Sequence, residues 1–329
     1  MDNTRHEEYQ YLDLMQRILD TGEVKENRTG VDTVGIFGTQ MRFSLKDQFP
    51  ILTTKKVYWK GVVEELLWFI RGETDSKKLE EKGVNIWKGN TSREYLDKMG
   101  LYNYPEGEIG PGYGFQWRNF NGLYEADKIV PFDGLDMGLE DAYEIYHPDE
   151  HDPLDMKRRV FKCFTGPNGG IDQLKQVVDK IRTNPNDRRL IVSAWNPRQI
   201  EEMALPCCHL LFQFYACNNK LSCQVYQRSV DSFLGLPFNV SSYALLTCLI
   251  AKITGLEPNE VIWTGGDTHI YVNHLDAVKE QLKREPYPFP KLIIKKDIKT
   301  LEDIEAMSFE DFELVDYEYH PAIKAEMAV

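Results

Sequence analysis

Ala204-Leu205-Pro206-Cys207-Cys208-His209-Leu210-Leu211-Phe212-Gln213-Phe214-Tyr215-Ala216-Cys217-Asn218-Asn219-Lys220-Leu221-Ser222-Cys223-Gln224-Val225-Tyr226-Gln227-Arg228-Ser229 reads as two strands joined by a polar turn. Residues 210–217 and 221–228 are rich in apolar and aromatic side chains, and Asn218-Asn219-Lys220 has the chemistry of a tight antiparallel connection. Folding the hairpin brings Cys208, just ahead of the first strand, to the same edge as Arg228, which ends the second. A thiol becomes nucleophilic as its thiolate, so a neighbouring positive charge or proton acceptor is what chemistry at Cys208 would need. His209 and Arg228 are both candidates. The plainer reading of a cysteine in such a chain is a small buried hydrophobe. Successive strand residues point to opposite faces, so if Cys208 faces a pocket, Cys207 does not.

Outward from the hairpin, residues 241–253 are apolar almost all round, as in a helix buried in the protein middle, with Gly255 as its C-terminal cap. Ile171, Leu174, Val177, Val178 and Ile181 predict an amphipathic helix, followed by a buried strand over 190–195. Leu12, Met15, Ile18 and Leu19 predict a helix that stops at Gly22, and Leu275, Val278 and Leu282 predict another. Residues 34–43 and 51–54 read as strands. The apolar helix over 62–70 contains the acid pair Glu64-Glu65.

The 329 residues, 42% of them hydrophobic, are enough for a large core. Residues 243–251, the longest nearly apolar run, are too short to span a bilayer, and the first eight residues lack the apolar stretch of a secretory signal. A cytosolic protein is expected. Six cysteines are too few for a disulfide scaffold and none has metal-ligand spacing with histidine, so no metal is expected. The net charge of −13 disfavours a broad nucleic-acid footprint. Between Gly122 and Asp155 there are eleven acids and one lysine, interleaved with apolar residues, and about 120–168 reads as an acidic insertion in one domain.

Any anionic ligand must then be met by a local cluster. Arg28, the pair Arg188-Arg189, and Arg228 with Ser229 have the planar forks and hydroxyl that suit phosphate oxygens; the alternative is surface ion pairing in an acid-rich protein. Gly265-Gly266-Asp267-Thr268-His269-Ile270-Tyr271 reads as a tight turn that delivers His269 and Tyr271 to one face. Those two polar tips would bind a sugar hydroxyl or pair within the core, and the glycines match no phosphate-loop pattern.

An ordered series of motifs carries a resemblance over almost the whole chain: Asn27-Arg28-Thr29-Gly30, Glu65-Leu66-Leu67-Trp68-Phe69, Ile86-Trp87, Gly110-Pro111-Gly112-Tyr113-Gly114 with Gln116-Trp117-Arg118, and Asn186-Asp187-Arg188-Arg189. It continues through Ser193-Ala194-Trp195-Asn196-Pro197, the Cys208 and Arg228 segments, Phe238-Asn239, the His269 segment and Met327-Ala328-Val329. The chain resembles the thymidylate synthase family. That resemblance implies a single domain over 1–329 of α+β class, with a large mixed β-sheet flanked by helices that stacks on its partner's sheet in a homodimer.

The same resemblance implies a reaction: reductive methylation of dUMP to dTMP, with 5,10-methylenetetrahydrofolate as co-substrate and dihydrofolate as product. Cys208 would add to C6 of the uracil, with Glu65, Tyr113, Asn239, Asp231 and Arg228 completing the catalytic set. Asn239 would read the uracil edge, His269 and Tyr271 the deoxyribose hydroxyl, and His209, Gln227 and Asp231 would also touch the nucleotide. Its phosphate would be held by Arg28, Arg228 and Ser229, with Arg188 and Arg189 entering from the partner subunit. Ile86, Trp87, Asn90, Asp231, Leu234, Gly235 and Phe238 would line the folate pocket, closed by the tail at Ala328. The chain departs from the family pattern at Cys207, Gly112, Ser241 and Lys88, of which Gly112 and Lys88 would border the folate side. The alternatives are a dUMP hydroxymethylase, in which water replaces hydride, and a non-catalytic nucleotide- or RNA-binding relative. Retention of Trp87, a large aromatic that excludes water, favours the synthase.

Overall fold

A computed structural model describes residues 5–27, 30–124 and 169–326. Apart from 120–124, the acidic stretch lies outside the described residues, as do Arg28 and Ala328. Six strands form one mixed sheet: β1 (Glu23–Lys25), β2 (Thr33–Ser44), β3 (Ile191–Ser193), β4 (His209–Cys217), β5 (Lys220–Asp231) and β6 (Glu257–Tyr271), in the order β1-β2-β6-β5-β4-β3. Among the described residues only β5 and β6 run parallel. A parallel pair needs a long crossover, and the helix Gly235–Thr254 provides it. A separate antiparallel pair, β7 (Lys291–Ile294) and β8 (Phe312–Val315), lies further along the chain.

Period-2 alternation sorts the sheet into two faces. Phe212 and Phe214 of β4 lie beside Val225 and Cys223 of β5, then Trp263 and Val261 of β6, then Met41 and Phe43 of β2, all buried. Helices Tyr9–Thr21 and Gly235–Thr254 cover this face, and helix Trp59–Ile70 packs on the latter. Leu211, Gln213 and Tyr215 alternate outward on β4, and Tyr215 is 65% exposed. The helix Gly235–Thr254 is apolar on nearly every side and sits between sheet and helix Trp59–Ile70; Gly255, at φ 73°, takes the left-handed cap that its lack of a Cβ permits.

Four expectations need correction. The hairpin turn is two residues rather than three, because Asn218 and Asn219 both adopt positive φ, 50° and 60°, and let Lys220 pair with Cys217. The strand over 190–195 is only Ile191–Ser193, and as a sheet edge it leaves Ile191 exposed. Gly265-Gly266 is no turn: both glycines lie inside β6, where Gly265 pairs with Gln227 of β5 and Thr39 of β2. Residues 51–54 form no strand, since their polar groups turn to a buried carboxylate.

That carboxylate is Glu8, fully buried at the start of helix Tyr9–Thr21. One oxygen accepts the Thr53 amide at 2.9 Å and hydroxyl at 2.6 Å; the other accepts those of Thr54 at the same two distances. Thr54 Oγ1 also accepts from Gln281 Nε2 at 2.8 Å, so the network joins three distant segments of the chain. Glu8→Gln would set an NH2 donor against two donors and strand them without water. We expect it to lower the urea unfolding midpoint, with a loss of about 3 kcal/mol; an unchanged midpoint would mean the threonines find other acceptors.

Candidate active site

Where β4, β5 and β6 end toward the helices, a cavity of about 850 Å³ opens. Cys208 lines it, half-buried just before β4, and the ladder shifts register between His209 and Leu211 directly behind it. The Arg228 amide donates to the Cys208 carbonyl at 2.9 Å, which locks the two strand ends together. Arg228 also donates Nε to the Cys207 carbonyl at 3.0 Å and Nη2 to the Pro206 carbonyl at 2.7 Å. Its Nη2 then lies 4.0 Å from Cys208 Sγ, and Trp195 packs beneath the guanidinium at 5.6 Å. Cys207 points the other way into the core, where burial pushes its thiol up to about 12.

Of the two groups expected to activate the thiol, only Arg228 carries charge. Burial drives His209 down to about 3, so it is neutral at physiological pH; its Nδ1 pairs with the Tyr243 hydroxyl at 2.7 Å. Its ring still forms part of the cavity wall and packs against that of Tyr113, centroids 4.2 Å apart and the planes tilted by 37°. Tyr113 starts the short helix Tyr113–Asn119 at φ 26°, a conformation that costs a non-glycine residue energy. The strain is held at both ends. The Tyr113 amide donates to Cys207 Sγ at 3.2 Å, and its hydroxyl accepts the Cys208 amide at 2.7 Å, leaving its own proton to donate. Burial, reinforced by Cys208, raises its pKa.

Helix Trp59–Ile70 presents Glu65 to the cavity, while neighbouring Glu64 turns to Lys82 at 2.6 Å. Burial lifts Glu65 to about 7 despite a hydrogen bond from Trp87 Nε1 at 2.8 Å, which favours the charged form. Asp231, at the end of β5, accepts the amides of Phe233 at 2.8 Å and Leu234 at 3.2 Å, which fixes the loop into helix Gly235–Thr254. That helix carries Asn239, whose Oδ1 accepts from Gln227 Nε2 at 3.0 Å. On β6, His269 Nδ1 lies 2.9 Å from Asp267 Oδ1, and Asp267 Oδ2 takes Lys25 at 2.9 Å.

Ser229, His269 and Tyr271 line the same cavity, as do Ile86, Trp87, Asn90, Leu234, Gly235 and Phe238. Arg188 and Arg189 do not. Arg189 pairs with Asp187 at 3.0 Å and its side chain is 81% exposed, beyond the β3 edge. Gly112 and Lys88 adjoin the lining residues Tyr113 and Trp87 without lining the cavity themselves: Lys88 is exposed, and a Cβ on Gly112 would face Ile109 and Cys207. The sequence alone gives no role to Tyr243, nor to Asp267 and Trp195 within their motifs. Asp267 was findable, since it sits two residues before His269 and shares its face; Tyr243 and Trp195 meet their partners only through the fold.

Residues 9–329 match the family model described as thymidylate synthase. The chain is 49% identical over 324 residues to the thymidylate synthase of Homo sapiens, covering 98% of this chain and 91% of that protein. It is 48% identical over 340 residues to the thymidylate synthase of Saccharomyces cerevisiae, covering 100% and 99%. It is 51% identical over 327 residues to the bifunctional dihydrofolate reductase-thymidylate synthase of Leishmania major, of whose length it spans 56%. With a family match over nearly its whole length and relatives close to half identical, the chain belongs to the thymidylate synthase family.

Proposed function

We propose that this protein converts dUMP to dTMP by reductive methylation with 5,10-methylenetetrahydrofolate, as one cytosolic domain that works as a homodimer. The observation that carries this reading is the half-buried Cys208 thiol beside the fixed Arg228 guanidinium, in a cavity that also holds Glu65, Tyr113 and Asn239. Cys208 Sγ adds to C6 of the pyrimidine; the C5–C6 π electrons move toward C5 and O4, which makes C5 nucleophilic. Charge growing at O4 meets the Asn239 amide and the Glu65 proton. Tyr113, whose hydroxyl proton is free to donate, orders water for removal of the C5 proton. Arg228 and Ser229 hold the phosphate together with Arg28.

The apolar wall of Ile86, Trp87, Leu234 and Phe238 suits a flat heteroaromatic ring beside the nucleotide. The reduced folate supplies the one-carbon unit and the hydride when bound there. Trp87, 8% exposed and anchored to Glu65, supports hydride over water as the acceptor's partner. Dihydrofolate absorbance and the mass of the product test this directly: methylated nucleotide with dihydrofolate is expected, and hydroxymethyl nucleotide without dihydrofolate overturns it.

Two substitutions separate the thiols. Cys208→Ser should lower kcat by at least about 10³-fold, whereas Cys207→Ser, whose oxygen can still accept the Tyr113 amide, should stay near wild type; the reverse pattern would move the nucleophile. Glu65 holds its proton below pH about 7 and loses it above. As a proton donor toward O4 it should therefore give kcat/KM a limb that declines as pH rises through 7. Glu65→Gln should lack that limb and lose about 10²–10⁴-fold in kcat; a limb that persists in the variant belongs to another group.

The outward sheet face, with Ile191, Leu211 and Tyr215 exposed, supports a sheet-to-sheet dimer, and the distance of Arg189 from its own chain's cavity supports its use by the partner. Mixing a Cys208→Ser protein with an Arg188→Ala/Arg189→Ala protein should restore about a quarter of full activity, through random heterodimers with one intact site. No restoration after subunit exchange would place both arginines in a different role.

A further inference from the structure

Trp263 is fully buried and lies beneath the cavity rather than on its wall, yet it sits at the head of a hydrogen-bond chain that ends in the cavity. Its Nε1 lies 2.8 Å from the Gln227 side chain, and Gln227 Nε2 lies 3.0 Å from Asn239. An indole N–H only donates, so the Gln227 atom facing it is the carbonyl oxygen. That forces the NH2 of Gln227 toward Asn239, whose facing atom must then be its own oxygen. The Asn239 NH2 is what remains to meet an occupant of the cavity. One proton on a buried ring nitrogen thus sets the polarity of an amide two side chains away.

Gly265 makes the first link possible. In the parallel register Gln227 is the β5 partner of Gly265, whereas Trp263 pairs with Val225 one step earlier. The indole must lie along its own strand to reach Gln227, and it does so across Gly265: a Cβ there would sit 2.7 Å from Trp263 Cζ2, well inside contact distance. The glycine in the middle of β6 is explained by this passage, since its backbone is ordinary extended strand.

We infer that Trp263, seated over Gly265, is a positioning residue that turns the donor end of Asn239 to the base and so selects a pyrimidine with a carbonyl rather than an amino group at position 4. This rests on the reading of dUMP as substrate. Without the indole proton, Gln227 and Asn239 can turn over together, and the donor and acceptor faces they offer become comparable in energy.

Trp263→Phe keeps the ring but removes the N–H; Gly265→Ala keeps the indole but displaces it, so the two reach the same link from opposite sides. Calorimetric titration would compare dUMP, dCMP and the deoxynucleotide of 2-pyrimidinone, which has no group at position 4. We expect the ratio of the dCMP Kd to the dUMP Kd to narrow about tenfold in both variants, with pyrimidinone affinity within about twofold of wild type. A wild-type ratio in either folded variant overturns the relay, as does an equal loss for all three ligands, which a merely structural role would produce. A wild-type protein with no preference for dUMP over dCMP would instead remove the substrate reading itself.

Discussion

A guanidinium does not give up its proton at any physiological pH, so wherever the fold fixes Arg228 it fixes a permanent positive charge. The fold fixes it tightly. Two of its nitrogens are spent on the carbonyls of Pro206 and Cys207, and its own amide closes the ladder to Cys208. The charge therefore cannot follow the solvent or a surface carboxylate, and it stays 4.0 Å from Cys208 Sγ. The bond from the Arg228 amide closes the open end of the β4–β5 hairpin, so the pairing of two central strands and the placing of this charge beside the thiol are the same piece of geometry.

β6 shows how one strand serves both core and chemistry. Trp263, Gly265, Asp267, His269 and Tyr271 share a face by period 2, and along it the environment passes from sealed interior to open cavity. At the sealed end the side chain is a large hydrophobe with one donor. At the open end stand the polar side chains His269, braced by Asp267, and Tyr271, whose hydroxyl takes Asn27. The flanking partners follow the same gradient, from Val225 through Gln227 to Ser229 and Asp231 on β5. A cavity wall built this way inherits the rigidity of the sheet, so its polar groups lose little entropy on meeting a ligand.

The hairpin, the central helix and the opposed orientation of Cys207 and Cys208 were legible in the sequence, because each depends on local periodicity or turn chemistry. What was not legible depends on contacts between distant segments. Residues 51–54 look like a strand by composition, but the Glu8 carboxylate, over forty residues earlier, captures both threonines. Gly265-Gly266 looks like a turn, and only the packed neighbours, the Trp263 indole and Thr268 at Gly265 and the Arg228 carbonyl and Tyr226 hydroxyl at Gly266, reveal why glycine is needed within a strand. His209 looks like a cation beside the thiol, yet its neutrality follows from burial that no local pattern records.

That burial acts on Glu65, Cys207 and His209 with a sign set by chemistry. Removing water penalises the charged form, so it lifts Glu65 to about 7 and Cys207 to about 12 while it drives His209 down to about 3. The result is a division of labour from one low-dielectric wall. His209 serves as a neutral platform for Tyr113, Cys207 is retired as a competing nucleophile, and Glu65 is poised where it can give or take a proton near neutrality. Cys208, one residue further along and on the opposite face, stands half-buried on the cavity wall. The register break between His209 and Leu211 lies directly behind this pair of thiols, at the point where the strand bends into the cavity wall.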